Sequence, residues 1–188
     1  MTAVFWRRLL LAATLVLSTS ACSGLAASMI GGALGGDGSV FSNDDDPDDE
    51  DLLLSAASGF TQYSFAFVLQ DAEIVEDDDP AKARAGRARA KKLFRRARDY
   101  GMRAIAAEWD DEFWADFAKD RQAALAEIDD EELVPYLYWT AAPWAALIAQ
   151  SKDDMKVIGE LPNVEALVKR ALELDPDWGD GALRELAM

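Results

Sequence analysis

The stretch PAKARAGRARAKKLFRRARDYGMRAIAAE, residues 80–108, decides the fold predicted for this chain. Small and apolar residues recur along it every three or four positions, which is the spacing of one face of an α-helix. This stripe consists of Ala83, Gly86, Ala90, Leu93, Phe94, Ala97, Gly101, Ala104 and Ile105. Ten basic side chains cover much of the remaining surface. Because Pro80 suits the first turn of a helix, the stretch predicts one long amphipathic helix whose small residues face a core.

Part of this stripe recurs later in the chain. Ala90, Phe94 and Ala97 lie at offsets of 0, 4 and 7. A later helical segment has the same offsets and a proline five residues further on, namely Val164, Val168, Ala171 and Pro176. This is the second-helix pattern of a tetratricopeptide repeat, in which small residues let two antiparallel helices approach. We therefore predict an all-α fold, an irregular tetratricopeptide-like helical repeat (α-solenoid). An ordinary helical bundle remains the alternative.

Two segments without charged residues are expected to form the inner helices of the repeat. They run from Leu52 to Gln70 and from Leu133 to Gln150. A helix that is apolar nearly all round is either buried or spans a membrane. Polar residues such as Thr61 favour burial of the first segment, and the second is slightly too short for a span. The whole pattern predicts about five helices and a truncated sixth that starts at Gly181.

The first 21 residues have the composition of a secretory signal peptide. Two arginines precede an apolar run from Leu9 to Leu17, and small residues follow directly before Cys22. A cysteine at this position resembles a bacterial lipobox, although Thr19 stands where such motifs usually have Leu. We therefore predict a lipoprotein signal peptide over residues 1–21 and lipidation of Cys22, which would hold the protein at a membrane. A stray or buried cysteine is the alternative.

Residues 22–51 are expected to form the lipidated cysteine and a flexible acidic tether. The segment 23–43 is rich in Gly, Ser and Ala, and an acidic run follows it. This run does not fit a calcium-binding EF-hand loop, because Asp49 and Ser55 stand where Gly and Glu are required. Residues 52–188 are then the predicted helical-repeat domain. Ser23 resembles a signal for outer-membrane sorting, so we expect the protein to face the periplasm from the outer membrane.

Charge limits the partners that this chain is expected to bind. It has 35 acidic and 19 basic residues and a formal net charge of −16, and loss of the signal peptide would make the charge more negative. Such an excess repels nucleic acid and anionic lipid headgroups, so we predict no nucleic-acid partner. The basic residues of the segment 80–108 are expected to pair with the acidic stretches on either side of it.

The residue types present leave little room for catalysis. The chain has no histidine and one cysteine, which excludes Cys–His and Ser–His–Asp arrangements and the common zinc sites. Neighbouring carboxylates such as Asp110 and Asp111 do not face each other on a helix, and acid–base work needs a raised pKa in a cleft. We predict that the protein is not an enzyme and has no catalytic residues, metal or cofactor. A carboxylate-based hydrolase is the remaining enzymatic alternative.

Several separate strings resemble one known family. They are GGDGSVFSNDDDP, GFTQYSFAFV, KKLFRRARDYGMRA, YLYWTAAPWAALIAQSKDD and VEALVKRALELDPDWGDGAL, spread from about Ala27 to Leu183. They are similar to the TatT family, the T component associated with tripartite ATP-independent periplasmic (TRAP) transporters. The resemblance implies a lipoprotein of irregular tetratricopeptide-like helices that assembles as a homotrimer. It also implies docking of a DctP-like periplasmic solute-binding protein and a pore or cleft that passes a hydrophobic small ligand.

Four aromatic residues are the candidates for lining such a passage: Tyr63, Tyr138, Trp139 and Trp144. Ligand pockets are mostly apolar with few polar groups, but aromatic side chains also fill ordinary cores, so core packing is the alternative for each. The family pattern has a helical stretch before Leu52 and a helical pair after Asp180 that this sequence lacks. A generic helical-repeat adaptor lipoprotein without ligand transport is therefore the second functional prediction.

Overall fold

The computed structural model describes residues 48–187, and these form helices and turns with no strand. The all-α class predicted from the sequence is confirmed. The predicted signal peptide, Cys22 and the tether as far as Pro47 lie outside the described residues, so they stay predictions.

Helix α1 spans Glu50–Ile74 and changes its winding midway. It is α-helical over Glu50–Tyr63, π-helical over Ser64–Leu69 and α-helical again over Gln70–Ile74. Asp49 caps its start, because the carboxylate accepts a hydrogen bond from the Leu52 backbone N–H at 2.8 Å. The wider π-helical turn is rare in proteins and often found at functional sites.

Helix α2 spans Pro80–Glu108, the range that the sequence predicts. The Asp79 carboxylate caps it by accepting a hydrogen bond from the Lys82 N–H at 3.0 Å, and Pro80 occupies the first turn. The predicted stripe is buried at seven positions: Ala83, Ala90, Phe94, Ala97, Gly101, Ala104 and Ile105. A helix with this small-residue stripe can lie close to more than one neighbour.

The segment after α2 forms two short helices, although its apolar residues from Phe113 to Ile128 predict a single helix that starts near Asp110 and Asp111. Helix α3 spans Phe113–Lys119 and α4 spans Arg121–Ala126. The residue between them, Asp120, adopts an extended conformation and caps α4 with its carboxylate. An N-cap residue takes non-helical angles, so the favourable cap ends one helix and begins the next.

The second half of the described chain contains the other charge-free helix. A 3-10 turn at Glu131–Leu133 leads into α5, Val134–Ala149, which continues through Pro143. Three more helices follow, separated by turns: α6 at Met155–Ile158, α7 at Leu161–Leu174 and α8 at Ala182–Ala187. The acidic pair Asp153 and Asp154 in the sequence suggests a capped short helix, and Asp154 does cap α6 by accepting a hydrogen bond from the Lys156 N–H at 3.0 Å. The 3-10 turn before α8, at Trp178–Gly181, contains residues with positive φ angles, of which Asp180 is the one that is not glycine.

The four long helices pack in the order α1, α2, α5, α7. Helix α2 packs on both α1 and α5, α1 also contacts α5, and α7 packs on α5. The larger core cluster joins residues of all four helices, and a second cluster surrounds Phe94 with residues of α1, α5 and α6. This order is compatible with stacked helix pairs, but the tetratricopeptide-like solenoid remains a prediction.

Helix α1 is not the all-round buried helix that the sequence suggests. Its buried side consists mainly of small residues such as Ala57, Thr61 and Ser64, while the large side chains Phe67 and Ile74 are 51% and 69% exposed. Of the helices described, α1 is the one with the length and apolar composition to cross a membrane, and 39% of its apolar window is buried. A core helix passes the same test, so this finding alone does not place α1 in a membrane.

Two glycines of α2 mark where its neighbours come closest. A Cβ added to Gly101 would lie 2.5 Å from Thr140 Oγ1 and 2.9 Å from Thr140 Cα on α5. A Cβ added to Gly86 would lie 2.7 Å from Ala72 Cβ on α1. These separations are far below carbon–carbon contact distance, about 3.5–4.0 Å. The two helix crossings therefore depend on the absence of side chains at these positions.

The α2–α5 crossing predicts a strong effect of one added methyl group. Gly101→Ala should lower the free energy of unfolding by about 1–3 kcal/mol, because the helices must move apart or the backbone must shift. Gly59→Ala is the matched control: Gly59 also lies within a helix, and an added Cβ would meet no atom within 4 Å. It should raise stability by up to about 1 kcal/mol through helix propensity. Urea denaturation measures the free energy of unfolding of both variants. A Gly101→Ala protein as stable as the wild type would contradict the close approach of α2 and α5.

Candidate functional site

Tyr63 lies on the outer surface of α1, where the α-helical winding gives way to the π-helical turn. Its side chain packs against Phe67, with ring centroids 5.6 Å apart. The hydroxyl accepts a hydrogen bond of 3.2 Å from Nη2 of Arg89 on α2, and the Arg89 guanidinium lies 5.9 Å from the ring centroid. Tyr63 is therefore part of a surface that α1 and α2 form together.

Tyr138 and Trp139 lie next to each other on α5 and form an edge-to-face pair with centroids 4.9 Å apart. Tyr138 also packs on Trp178, which belongs to the turn after α7, at 4.7 Å. Burial, followed by the nearby carboxylate of Glu185, raises the pKa of the Tyr138 hydroxyl above its usual value. Both aromatic side chains are half-buried.

Trp144 is 5% exposed and belongs to a polar cluster that no sequence pattern had indicated. Its Nε1 donates a hydrogen bond of 2.7 Å to Oε2 of Glu160. The Arg98 guanidinium lies 5.2 Å from the Trp144 ring centroid and donates to the same Glu160 oxygen at 3.2 Å. Arg98 and Glu160 are 62 residues apart, so no spacing pattern could pair them. The sequence offered one indication of this cluster: the N–H of a buried tryptophan usually has a hydrogen-bond acceptor.

The four predicted lining residues thus occupy different environments. Tyr138 and Trp139 touch, and Tyr138 borders the core cluster that contains Trp144. Tyr63 lies on the exposed side of α1. A ligand-lining role for these residues stays a prediction. The hydrogen bond of Trp144 to Glu160 and its contact with Arg98 are typical of a packed core residue.

Carboxylates gather where the start of α1 meets the end of α2. Burial, and then the charges of Glu50 and Asp51, raise the pKa of Glu108. Burial and the charge of Glu108 also raise the pKa of Tyr136 to about 12. Within residues 48–187, no group of acidic residues has the arrangement of a metal site. The raised pKa of Glu108 belongs to an exposed carboxylate among like charges, which is not the cleft that acid–base catalysis needs.

The outer side of α1 and α2 is the most distinctive surface of the described chain. Helix α1 contributes the exposed aromatic side chains Tyr63 and Phe67, whose rings pack on each other, while Phe65 packs instead on the buried Phe94 with centroids 4.8 Å apart. Helix α2 contributes an open cleft of about 310 Å³. Its lining residues are Lys92, Arg95, Arg96, Asp99, Tyr100 and Arg103. Exposed aromatic and arginine side chains are enriched at protein interfaces, so this surface is the candidate functional site.

One comparison with known proteins bears on this surface. The model of the TRAP transporter T-component family matches residues 43–188. The match includes every described residue, and with them both helices that form the candidate surface. No curated protein matches the chain.

The polar cluster around Trp144 predicts unequal effects of two arginine substitutions on α2. Arg98→Ala removes a partly buried ion pair and a cation–π contact, and should lower the free energy of unfolding by about 1–2 kcal/mol. Arg95→Ala is the control, because Arg95 is exposed and has no ion pair within the described chain. Its effect should stay within about 0.5 kcal/mol. Equal losses in thermal denaturation would contradict a structural role of the cluster.

Proposed function

The chain belongs to the TRAP transporter T-component family, and on this premise we propose that it docks the periplasmic solute-binding protein of a TRAP transport system. The observation that carries the proposal is the family match over residues 43–188, which includes the whole described helical part. The protein would act as an accessory component without catalysing a reaction.

The exposed side of α1 supports docking. Tyr63 and Phe67 are 41% and 51% exposed and pack against each other, although phenylalanine is among the residues most often buried. Apolar side chains that stay exposed next to one another commonly mark a surface that a partner covers. We propose that the solute-binding protein covers this part of α1. A homotrimer, which the family resemblance implies, is a further part of the proposal, and light scattering of the purified chain tests it.

We also propose that Cys22 carries the lipid that holds the protein at the outer membrane, facing the periplasm. A T-component works with a transporter of the cell envelope, so an exported and anchored chain fits the family. Two or more acyl chains, at about 0.8 kcal/mol per buried CH₂, would make the attachment stable.

The anchor proposal predicts the behaviour of Cys22→Ser. The variant should lose metabolic labelling by a radioactive fatty acid, because serine has no thiol to carry the lipid. A variant that still incorporates the fatty acid would contradict lipidation of Cys22.

Passage of a hydrophobic solute is the less supported half of the functional prediction. Trp144 has its N–H bonded to Glu160 and its ring covered by Arg98, so it resembles a packed core residue. This favours the second candidate, an adaptor that docks its partner without conducting a ligand. Mass spectrometry of organic extracts of the purified protein separates the two, because a ligand passage should retain a hydrophobic molecule.

The docking proposal predicts that one exposed aromatic residue matters more than another exposed apolar residue. Phe67→Asp should weaken binding of the solute-binding protein about tenfold or more, since it places a charge in the covered apolar surface. Met155→Asp on α6 is the control, because Met155 is 76% exposed and the substitution adds the same charge at a different place on the surface. Calorimetry with the folded, lipid-free chain measures both. No binding by the wild type would refute the docking function.

A further inference from the structure

Helix α2 holds most of the basic residues of this acidic chain, and many of them lack a carboxylate partner. Arg87 pairs with Glu76 and Arg103 pairs with Asp48, as expected from the flanking acidic stretches. Within residues 48–187, however, six basic side chains of α2 form no ion pair. They are Lys82, Arg84, Arg89, Lys92, Arg95 and Arg96. In a chain with 35 acidic residues, this concentration of unneutralised charge requires an explanation.

Three arginines of α2 are held against aromatic rings at regular intervals. Arg89, Arg96 and Arg103 follow one another every seven residues, so they lie close to one line along the helix. Their guanidinium groups lie 5.9, 5.6 and 5.9 Å from ring centroids. The rings are those of Tyr63, Phe60 and Tyr100, in that order.

The aromatic rings beneath these arginines support one another. Phe60 of α1 and Tyr100 of α2 stack with centroids 5.8 Å apart and planes inclined by 9°. Tyr63 packs on Phe67, with centroids 5.6 Å apart and planes inclined by 32°. We name this arrangement the cationic–aromatic face, formed by the three arginines, the cleft residues Lys92 and Arg95, and the rings of Phe60, Tyr63 and Tyr100.

Stacking prepares an arginine to bind carboxylates. The donors of a guanidinium lie in its plane, so a ring against its face leaves the N–H groups at its edges available. A side chain already held by a ring also loses less rotamer freedom when it binds. Of the three arginines, Arg96 makes no hydrogen bond or ion pair within residues 48–187, so its N–H groups are the ones that remain to bind a planar anionic group.

The cleft adds two cations that nothing in the described chain neutralises. Lys92 and Arg95 are exposed and make no hydrogen bond, ion pair or ring contact with residues 48–187. The one carboxylate of the cleft, Asp99, is already bonded by Arg98 at 2.8 Å. From Lys92 to Arg103 the helix rises by about 16 Å, a length that about five residues of extended polypeptide match.

We propose that the cationic–aromatic face docks a short acidic segment of a partner protein. Charge complementarity selects an acidic occupant, and the length of the cleft selects a short one. A membrane surface or a long nucleic acid would also approach the rest of this chain, and the chain as a whole has a net charge of −16 that repels it. The inference goes beyond the proposed function, since it names the face and the chemistry of its occupant whichever protein carries the segment.

The test uses fluorescein-labelled decaglutamate as the probe and the full chain with Cys22→Ser, which keeps lipid out of the assay. The wild-type face should bind the probe, measured by fluorescence anisotropy at low salt, and added salt should weaken the binding. The double variant Lys92→Glu/Arg95→Glu should bind at least about tenfold more weakly. Lys82→Glu/Arg84→Glu is the control, because it makes the same charge change on the same helix outside the cleft, and its affinity should stay within about twofold of the wild type.

Three results would overturn the inference. The wild type could fail to bind decaglutamate, both double variants could lose affinity equally, or the wild type could bind phosphatidylglycerol vesicles in preference to the peptide. The outcome is separable from the docking function. If the solute-binding protein fails to bind while decaglutamate binds at the cleft, the proposed function falls and this inference stands. If the solute-binding protein binds while decaglutamate does not, this inference falls and the proposed function stands.

Discussion

The close approach of α2 to its two neighbours is the constraint on which the rest of the structure depends. At Gly86 and Gly101 the neighbouring helices occupy the space that a Cβ would need. Two helices can therefore pack on α2 at once, and Phe94, which is fully buried, fills the space between these crossings. Close-packed interiors tolerate little change in volume, so the positions of α1 and α5 follow from the small residues of one helix.

This packing explains why the candidate surface exists. The side of α1 that meets α2 consists mainly of small residues, and the aromatic side chains of Tyr63 and Phe67 lie away from it. They lie outside, where Phe60 and Tyr63 meet the arginines of α2. The same small stripe on α2 leaves its basic residues on the solvent side. A tightly packed inside and an aromatic and basic outside are thus two consequences of one residue pattern.

Local patterns predicted the parts of the fold that local interactions determine. The bounds of α2 and its buried stripe follow from the proline, the periodicity and the small residues, and they are confirmed. The break at Asp120 was missed, because an acidic residue within a helical pattern does not reveal that it caps the next helix. The exposure of Phe67 was missed for another reason: an apolar helix does not show which of its sides meets a neighbour. The pairing of Arg98 with Glu160 depends on contacts between segments that are distant in the sequence, and a local periodic pattern gives no information about such contacts.

In the proposed function, a partner docks on the outer side of α1 and α2. Hydroxyl-radical footprinting of the chain, alone and with the solute-binding protein, tests it most directly, because it reports the solvent exposure of individual side chains. Tyr63 and Phe67 should become protected in the complex while Met155, which is 76% exposed on α6, keeps its reactivity. Protection of Met155 with unchanged reactivity of Tyr63 and Phe67 would show that the partner docks elsewhere.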